Sequence, residues 1–342
     1  MHRNDGALTV AAEADRRAAA SPPNIRAILR AGNAFFLRSL SNLAASHPDN
    51  LISALIFCTI ATSNVRHVTN SPANLQHGGI DNVPPDHMRR PVSVLALSAA
   101  LGMPYETVRR YVGTLIARGL CVRIEGRGVV VPTAILNTVP GPQAIATGYC
   151  DLLRLLADLK RASFDFTPYR RHAQTVPTPP AGEIPANARA LLRVGMEAIL
   201  RGVDVVARLN GGDFLQGLVY TAIWTANVEH ITGGPKSLSF GGLAELPPDA
   251  MRRPVTVSAL ATVLRMPYET VRRHAGKLID EGRVLRLDGG LIVPRAVLES
   301  PAQFEAVSRS HRDINRLVAD LHRAGFDFSL YWSSAGAPVP PA

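Results

Sequence analysis

The chain has 342 residues, enough for roughly two domains of ordinary size. Its 37 Lys and Arg against 27 Asp and Glu leave a net charge of +10, which excludes an acidic solvating chain and points to a polyanionic partner, nucleic acid before a membrane surface. Hydrophobic residues at 46% exclude disorder, aromatics at 6% argue against a stacking platform for single strands, and Cys58, Cys121 and Cys150 have the number and spacing of neither a disulfide framework nor a metal site.

The first 22 residues carry Asp5, Glu13 and Asp15 and lack an apolar core segment, so no secretory signal is expected. Residues 24–46 have helical periodicity through Ile25, Ile28, Leu29, Phe36, Leu40 and Leu43. A second helix is predicted over 51–67; its apolar run is too short to cross a bilayer, which takes ~20 residues. A cytoplasmic protein is therefore expected. Residues 68–88 read as a loop. Ser93 is a predicted N-cap for a short helix with Leu95, Leu97 and Leu101 apolar, stopped by Gly102. Pro104 suits the first position of the next helix, which runs to about Arg118 and ends at Gly119. A hairpin of 121–124 and 129–131 follows, turning through 125–128, and then an amphipathic helix over 142–162.

The chain then repeats itself. Residues 84–126 and 247–289 are identical at 26 of 43 positions at a constant offset of 163, and Met103–Arg110 recurs unchanged as Met266–Arg273. The register extends upstream, where Asn64 and His67 match Asn227 and His230, and downstream at offset 162 after one deletion. The expected organisation is a tail (1–23), a first copy (24–167), an extended linker (168–186), a second copy (187–332) and a second tail (333–342).

Short helix, tight turn, helix and glycine-tipped hairpin make a winged helix-turn-helix. The pattern Val94-x-x-Leu97-x-x-x-Leu101-Gly102, then Glu106-Thr107-Val108-Arg109-Arg110, then Leu115-x-x-x-Gly119-Leu120 and the wing resembles transcription regulators of the MarR and IclR type. It covers about 45 residues per copy. The resemblance implies a mainly α fold with small β-hairpin wings, the second helix entering a DNA major groove. Copy two departs at Arg265, in place of Gly102, and at Arg283, in place of Leu120.

Helix geometry then assigns roles. Val108, Val112 and Leu115 share one face and should be core. Arg110, ~200° round the helix from Val108, points outward and is the candidate for a bidentate guanine contact. Glu106 either accepts from a cytosine or holds Arg110 as an i, i+4 pair, and Gly113 leaves room for close approach. Tyr105, Thr107 and Arg109 flank this face. The equivalents are Tyr268, Glu269, Thr270, Arg272, Arg273 and Gly276, with Lys277 added. Arg123 and Arg286 at the wing bases are phosphate candidates, Arg127 at the first wing tip is a minor-groove candidate, and copy two has no basic residue at its tip. Arg89-Arg90 and Arg252-Arg253 either clamp phosphates or are merely solvated. Asn64/His67 and Asn227/His230 read better as helix-end hydrogen-bond networks than as metal or ligand pairs.

Residues 89–132 hold 7 basic and 2 acidic side chains and residues 252–294 hold 8 and 4, so nine of the ten excess charges sit in the two winged-helix segments. No enzyme motif and no cofactor signature is present. The expectation is a double-stranded-DNA-binding transcription regulator in which one chain supplies both halves of a dimer, the terminal helices of each copy packing across an approximate two-fold axis. Rival readings are a plasmid-type replication initiator and an architectural or scaffold protein. Operator, effector and further self-association stay open.

Overall fold

The computed structural model describes residues 21–46, 50–138, 141–169, 175–180, 183–232 and 235–332. Residues 1–20 and 333–342 of the expected tails, and 170–174 and 181–182 of the expected linker, lie outside them. Among the described residues the protein is mainly helical, with two antiparallel two-stranded sheets.

The first repeat begins with α1 (Ile25–Ser46) and α2 (Leu51–Asn64), the latter capped by Asn50, whose side chain accepts from the Ser53 amide at 2.9 Å. The second helix is shorter than the expected 51–67. It breaks at Val65, and the chain continues as isolated turns at 66–69, 73–76 and 86–88. Then come α3 (Val94–Leu101), α4 (Tyr105–Ala117), the hairpin β1 (Val122–Ile124) and β2 (Gly128–Val130), and α5 (Pro142–Arg161). The second repeat supplies α6 (Ala188–Arg208), α7 (Phe214–Thr232), α8 (Val257–Leu264), α9 (Tyr268–Asp280), β3 (Leu285–Leu287), β4 (Gly290–Ile292) and α10 (Pro301–Arg323).

Local chemistry explains the boundaries. Ser93 caps α3 and Thr256 caps α8, each hydroxyl accepting an amide three residues on at 3.1 Å. Gly102 ends α3 in the left-handed region at φ 60°. Pro104 sits at the N-cap of α4, one position before the expected one, because its ψ of 135° is extended. Leu95 lies outside the core, 68% exposed. Val108, Val112 and Leu115 are fully buried, each worth roughly 1.5–3 kcal/mol of transfer free energy. Gly119, at φ 72°, closes α4, its amide reaching the Ile116 carbonyl at 2.9 Å.

Arg265 replaces the Gly102 stop, yet keeps the same left-handed turn at φ 50°, ψ 44°. The two copies therefore share turn geometry, and the second bears the strain of a Cβ in that conformation. Arg265→Gly is expected to raise the unfolding free energy by about 1 kcal/mol, read from the shift in urea midpoint at constant slope.

The repeats interlock. α1 packs on α5 of its own copy and on α7 and α10 of the other; α6 packs on α7 and α10 and reaches across to α2, α3 and α5. Two arginines on each first helix, buried in the first copy and half-buried in the second, anchor this exchange. Arg26 Nε donates to the Leu243 carbonyl at 2.5 Å, and Arg30 donates to Ser237 and Phe240 carbonyls at 2.6 and 2.8 Å. Reciprocally, Arg189 donates to the Ile80 carbonyl, and Arg193 to the carbonyls of Asn74 and His77 at 3.0 and 2.7 Å. The backbone repeats the symmetry, with Arg26 N on Gly241 O and Arg189 N on Gly78 O. Burial pushes the guanidinium groups of Arg26, Arg30 and Arg193 down to about 10, so they stay charged at neutral pH while their charge is spent inside the protein.

Candidate nucleic-acid interface

Each repeat presents one amphipathic helix whose outer face is basic. On α4, Val108, Val112 and Leu115 turn inward onto α2 and α3, which leaves Tyr105, Glu106, Arg109, Arg110 and Gly113 exposed. On α9, Val271, Ala275 and Leu278 turn inward and leave Tyr268, Glu269, Arg272 and Arg273 exposed. Thr107 and Thr270 are half-buried at the flank.

Glu106 does not hold Arg110. Its carboxylate accepts from Arg109 Nε at 2.8 Å, one turn back at i, i+3, and Glu269 takes Arg272 in the same way at 2.6 and 2.8 Å. This pairing raises the Arg109 and Arg272 guanidinium pKa values through the hydrogen bond to the carboxylate and lowers that of Glu269. The Arg110 guanidinium instead lies 5.3 Å from the centroid of the neighbouring Tyr111 ring. A Cβ added at Gly113 or Gly276 would meet nothing within 4 Å, so internal packing does not require glycine at either point.

The expected phosphate clamps are half corrected. Arg89 and Arg252 are not surface groups: their side chains are 0% exposed. Arg89 donates to the Pro84 carbonyl at 2.9 Å and to Thr133 Oγ1 at 3.2 Å, and Arg252 to the Pro247 carbonyl at 3.0 Å and to Asp249 Oδ1 at 3.1 Å. Arg89 ties the loop before the short helix to the chain beyond the hairpin, Arg252 braces the corresponding loop internally, and neither can reach a phosphate. Arg90 and Arg253, one residue on, are exposed. The surface charge of the two basic segments is thus lower by one in each copy than their composition implies.

Asn64 and Asn227 set the hairpins in place. Fully buried Asn64 donates from Nδ2 to the Arg90 and Val129 carbonyls at 2.8 and 3.1 Å, and its Oδ1 accepts from the Val131 amide at 2.9 Å. Asn227 repeats this with Arg253, Leu291 and Val293 at 2.8, 3.0 and 2.9 Å. The network expected at the helix ends therefore exists, but the histidines stand apart from it: His67 is half-buried and His230 exposed. Bridges Val92–Val129 and Val255–Leu291 add a third strand segment to each hairpin. Gly128 and Gly290 pass these segments so closely that a Cβ would lie 2.4 Å from the Val92 or Val255 carbonyl oxygen. They are structural glycines, distinct from the hairpin tips.

Arg123, Arg127 and Arg286 are exposed on the hairpins. The tips differ, being Glu125-Gly126-Arg127 in the first copy and Asp288-Gly289 in the second.

A second asymmetry was legible only by aligning the copies. Where α4 has Tyr111, α9 has His274, turned inward and 4% exposed, its Nδ1 3.6 Å from Asp213 Oδ2. Lys277 reaches the same carboxylate at 3.5 Å. Burial lowers the His274 pKa against the pull of Asp213. The charge that Lys277 adds is therefore partly answered by Asp213. Arg283 fills the place of Leu120 by bonding Asn210 Oδ1 at 2.6 Å and lying 4.5 Å from the Tyr220 ring centroid.

Among the described residues no helix is long and apolar enough to cross a membrane. Comparison of the chain with models of known families, with curated proteins and with solved structures finds no match.

Proposed function

We propose that the protein binds double-stranded DNA sequence-specifically, as a transcription regulator carrying two winged helix-turn-helix units in one chain. The observation that carries this reading is the doubled frame: in each copy an outward arginine-bearing helix follows a short capped helix and a left-handed turn, beside a hairpin bearing exposed arginine. A helix of this kind fits a major groove, and basic hairpins fit the flanking backbone. Arg110 and Arg273 read bases. Arg109 and Arg272, each held by its own glutamate, together with Arg90, Arg253, Arg123 and Arg286, position the protein on phosphates. Tyr105 and Tyr268 border the same face. The reciprocal arginine anchors make the two units halves of one body, so the chain acts as its own dimer and its sites contain two related half-sites.

Selection of bound duplexes from a random pool, followed by affinity measurement against random DNA, tests this. A specificity ratio of 10³ or more with a two-part site is expected. A ratio near one would overturn the regulator reading in favour of an architectural protein, and selection of tandem origin repeats would favour a replication initiator.

The unequal hairpins give a subsidiary expectation. Arg127→Ala weakens DNA binding several-fold, whereas Asp288→Ala, which removes a repelling charge, leaves binding equal or stronger. Equal losses from both would remove the asymmetry. Gly290→Ala is unsuitable as a control, because it clashes with Val255.

A further inference from the structure

The repeats place two corresponding crevices between α1 and α6. One lies against α5 and has a volume of about 500 Å³; the other lies against α10 and has about 90 Å³. Part of their walls matches at the repeat offset. Ser39, Asn42 and Asp151 of the large crevice stand where the small one has Gly202, Val205 and Asp313, and Ile199 stands where the small one has Phe36.

On the second side the corresponding lining is divided between the small crevice and a neighbouring one of about 70 Å³ bordered by Tyr220, Thr221 and Gln303, and Phe36, standing where the large crevice has Ile199, narrows the part beside Gly202. The Phe36 ring covers Gly202 so closely that a Cβ there would come within 2.9 Å of it. The large crevice has the shorter Ile199 at that position, and the space beside Ser39 stays open. Its lining is mostly apolar, with Phe35, Phe57 and Leu152 among the wall residues. Among its polar wall residues Asp151 is held in place: 3% exposed, it accepts from Asn42 Nδ2 at 2.7 Å and faces Arg38 Nε at 3.6 Å. Asp313 has the matching arginine, Arg201, at 3.6 Å, but Val205 in place of the asparagine.

We propose that the large crevice binds an uncharged small molecule with an aromatic body and one N–H or O–H donor, the donor directed at Asp151. The apolar walls select the body. A carboxylate oxygen at the polar end accepts a donor, and the apolar walls disfavour a charged body. The ligand site thus lies on one side of the duplication, its equivalent being divided in two and narrowed by Phe36. Binding there stands independently of DNA recognition.

The probe is N-phenyl-1-naphthylamine, a neutral aromatic fluorophore with one N–H donor, titrated into the full chain. Saturable one-to-one binding is expected. Ile199→Phe, which installs the residue that narrows the other crevice, should weaken it at least tenfold without lowering the melting temperature. Should that variant fail to fold, Ser39→Leu fills the same space from the facing helix and must weaken binding comparably. The N-methylated probe, which has no donor, should bind at least threefold more weakly. Absence of saturable binding, or binding unaffected by filling the crevice, overturns the site; equal binding of the methylated probe overturns the role of Asp151.

Discussion

Replacing Asn64 by alanine is expected to lower the unfolding free energy by about 3 kcal/mol and to loosen the first hairpin from the end of α2. The side chain is fully buried and meets two carbonyls and one amide from three separate backbone points. Its removal strands those groups, and a buried unsatisfied polar group costs roughly 1–3 kcal/mol, partly relieved where water enters the space. The folded core of α1, α5, α6 and α10 does not touch this residue's bonds, so the loss should be local as well as global. Denaturant unfolding gives the total, and amide exchange at Val129 and Val131 gives the local part. Asn64→Asp should be no better at neutral pH, because it loses both donated bonds and buries a charge. A variant with wild-type midpoint and wild-type exchange would show that Asn64 does not hold the hairpin.

Substituting Arg110 and Arg273 together by alanine should leave stability unchanged and abolish sequence preference. Both side chains are exposed and neither is held by the neighbouring glutamate, which is committed to Arg109 or Arg272. A bidentate base contact is worth about 1–3 kcal/mol, so losing two should weaken binding to the selected site by roughly 10²- to 10⁴-fold while non-specific binding changes far less. Arg123→Ala makes the contrast. It should weaken binding on every duplex alike and reduce the slope of log affinity against log salt by about one. A double variant that keeps its specificity ratio would show that α4 and α9 are not the reading helices. The two arginines need not contribute equally. Arg110 rests beside Tyr111, whereas His274, the matching residue beside Arg273, is buried next to Asp213.

Much of this protein is legible in one dimension, because the information is local or internal to the chain. Helix caps at Ser93, stops at Gly102 and Gly119, and the inward set Val108, Val112 and Leu115 follow from side-chain chemistry within a few residues. The duplication follows from comparing the chain with itself. The candidate reading face on α4 follows from helical periodicity once its inward face is known.

What the tertiary structure decided is where charge and polarity are spent, which depends on residues distant in sequence. Arg89 and Arg90 are neighbours of identical type, and only folding separates the buried brace from the surface cation. Arg26, Arg30, Arg189 and Arg193 lie on helices with no local sign that their guanidinium groups cross into the other copy's loops. Glu106 can pair with Arg109 or Arg110 by spacing alone, and rotamer geometry chose the first. The crevice beside Ile199 exists because α1 and α6, 163 residues apart in register, meet face to face. Local pattern specifies elements and their apolar faces, whereas burial of a polar group is settled by the partners that long-range packing brings to it.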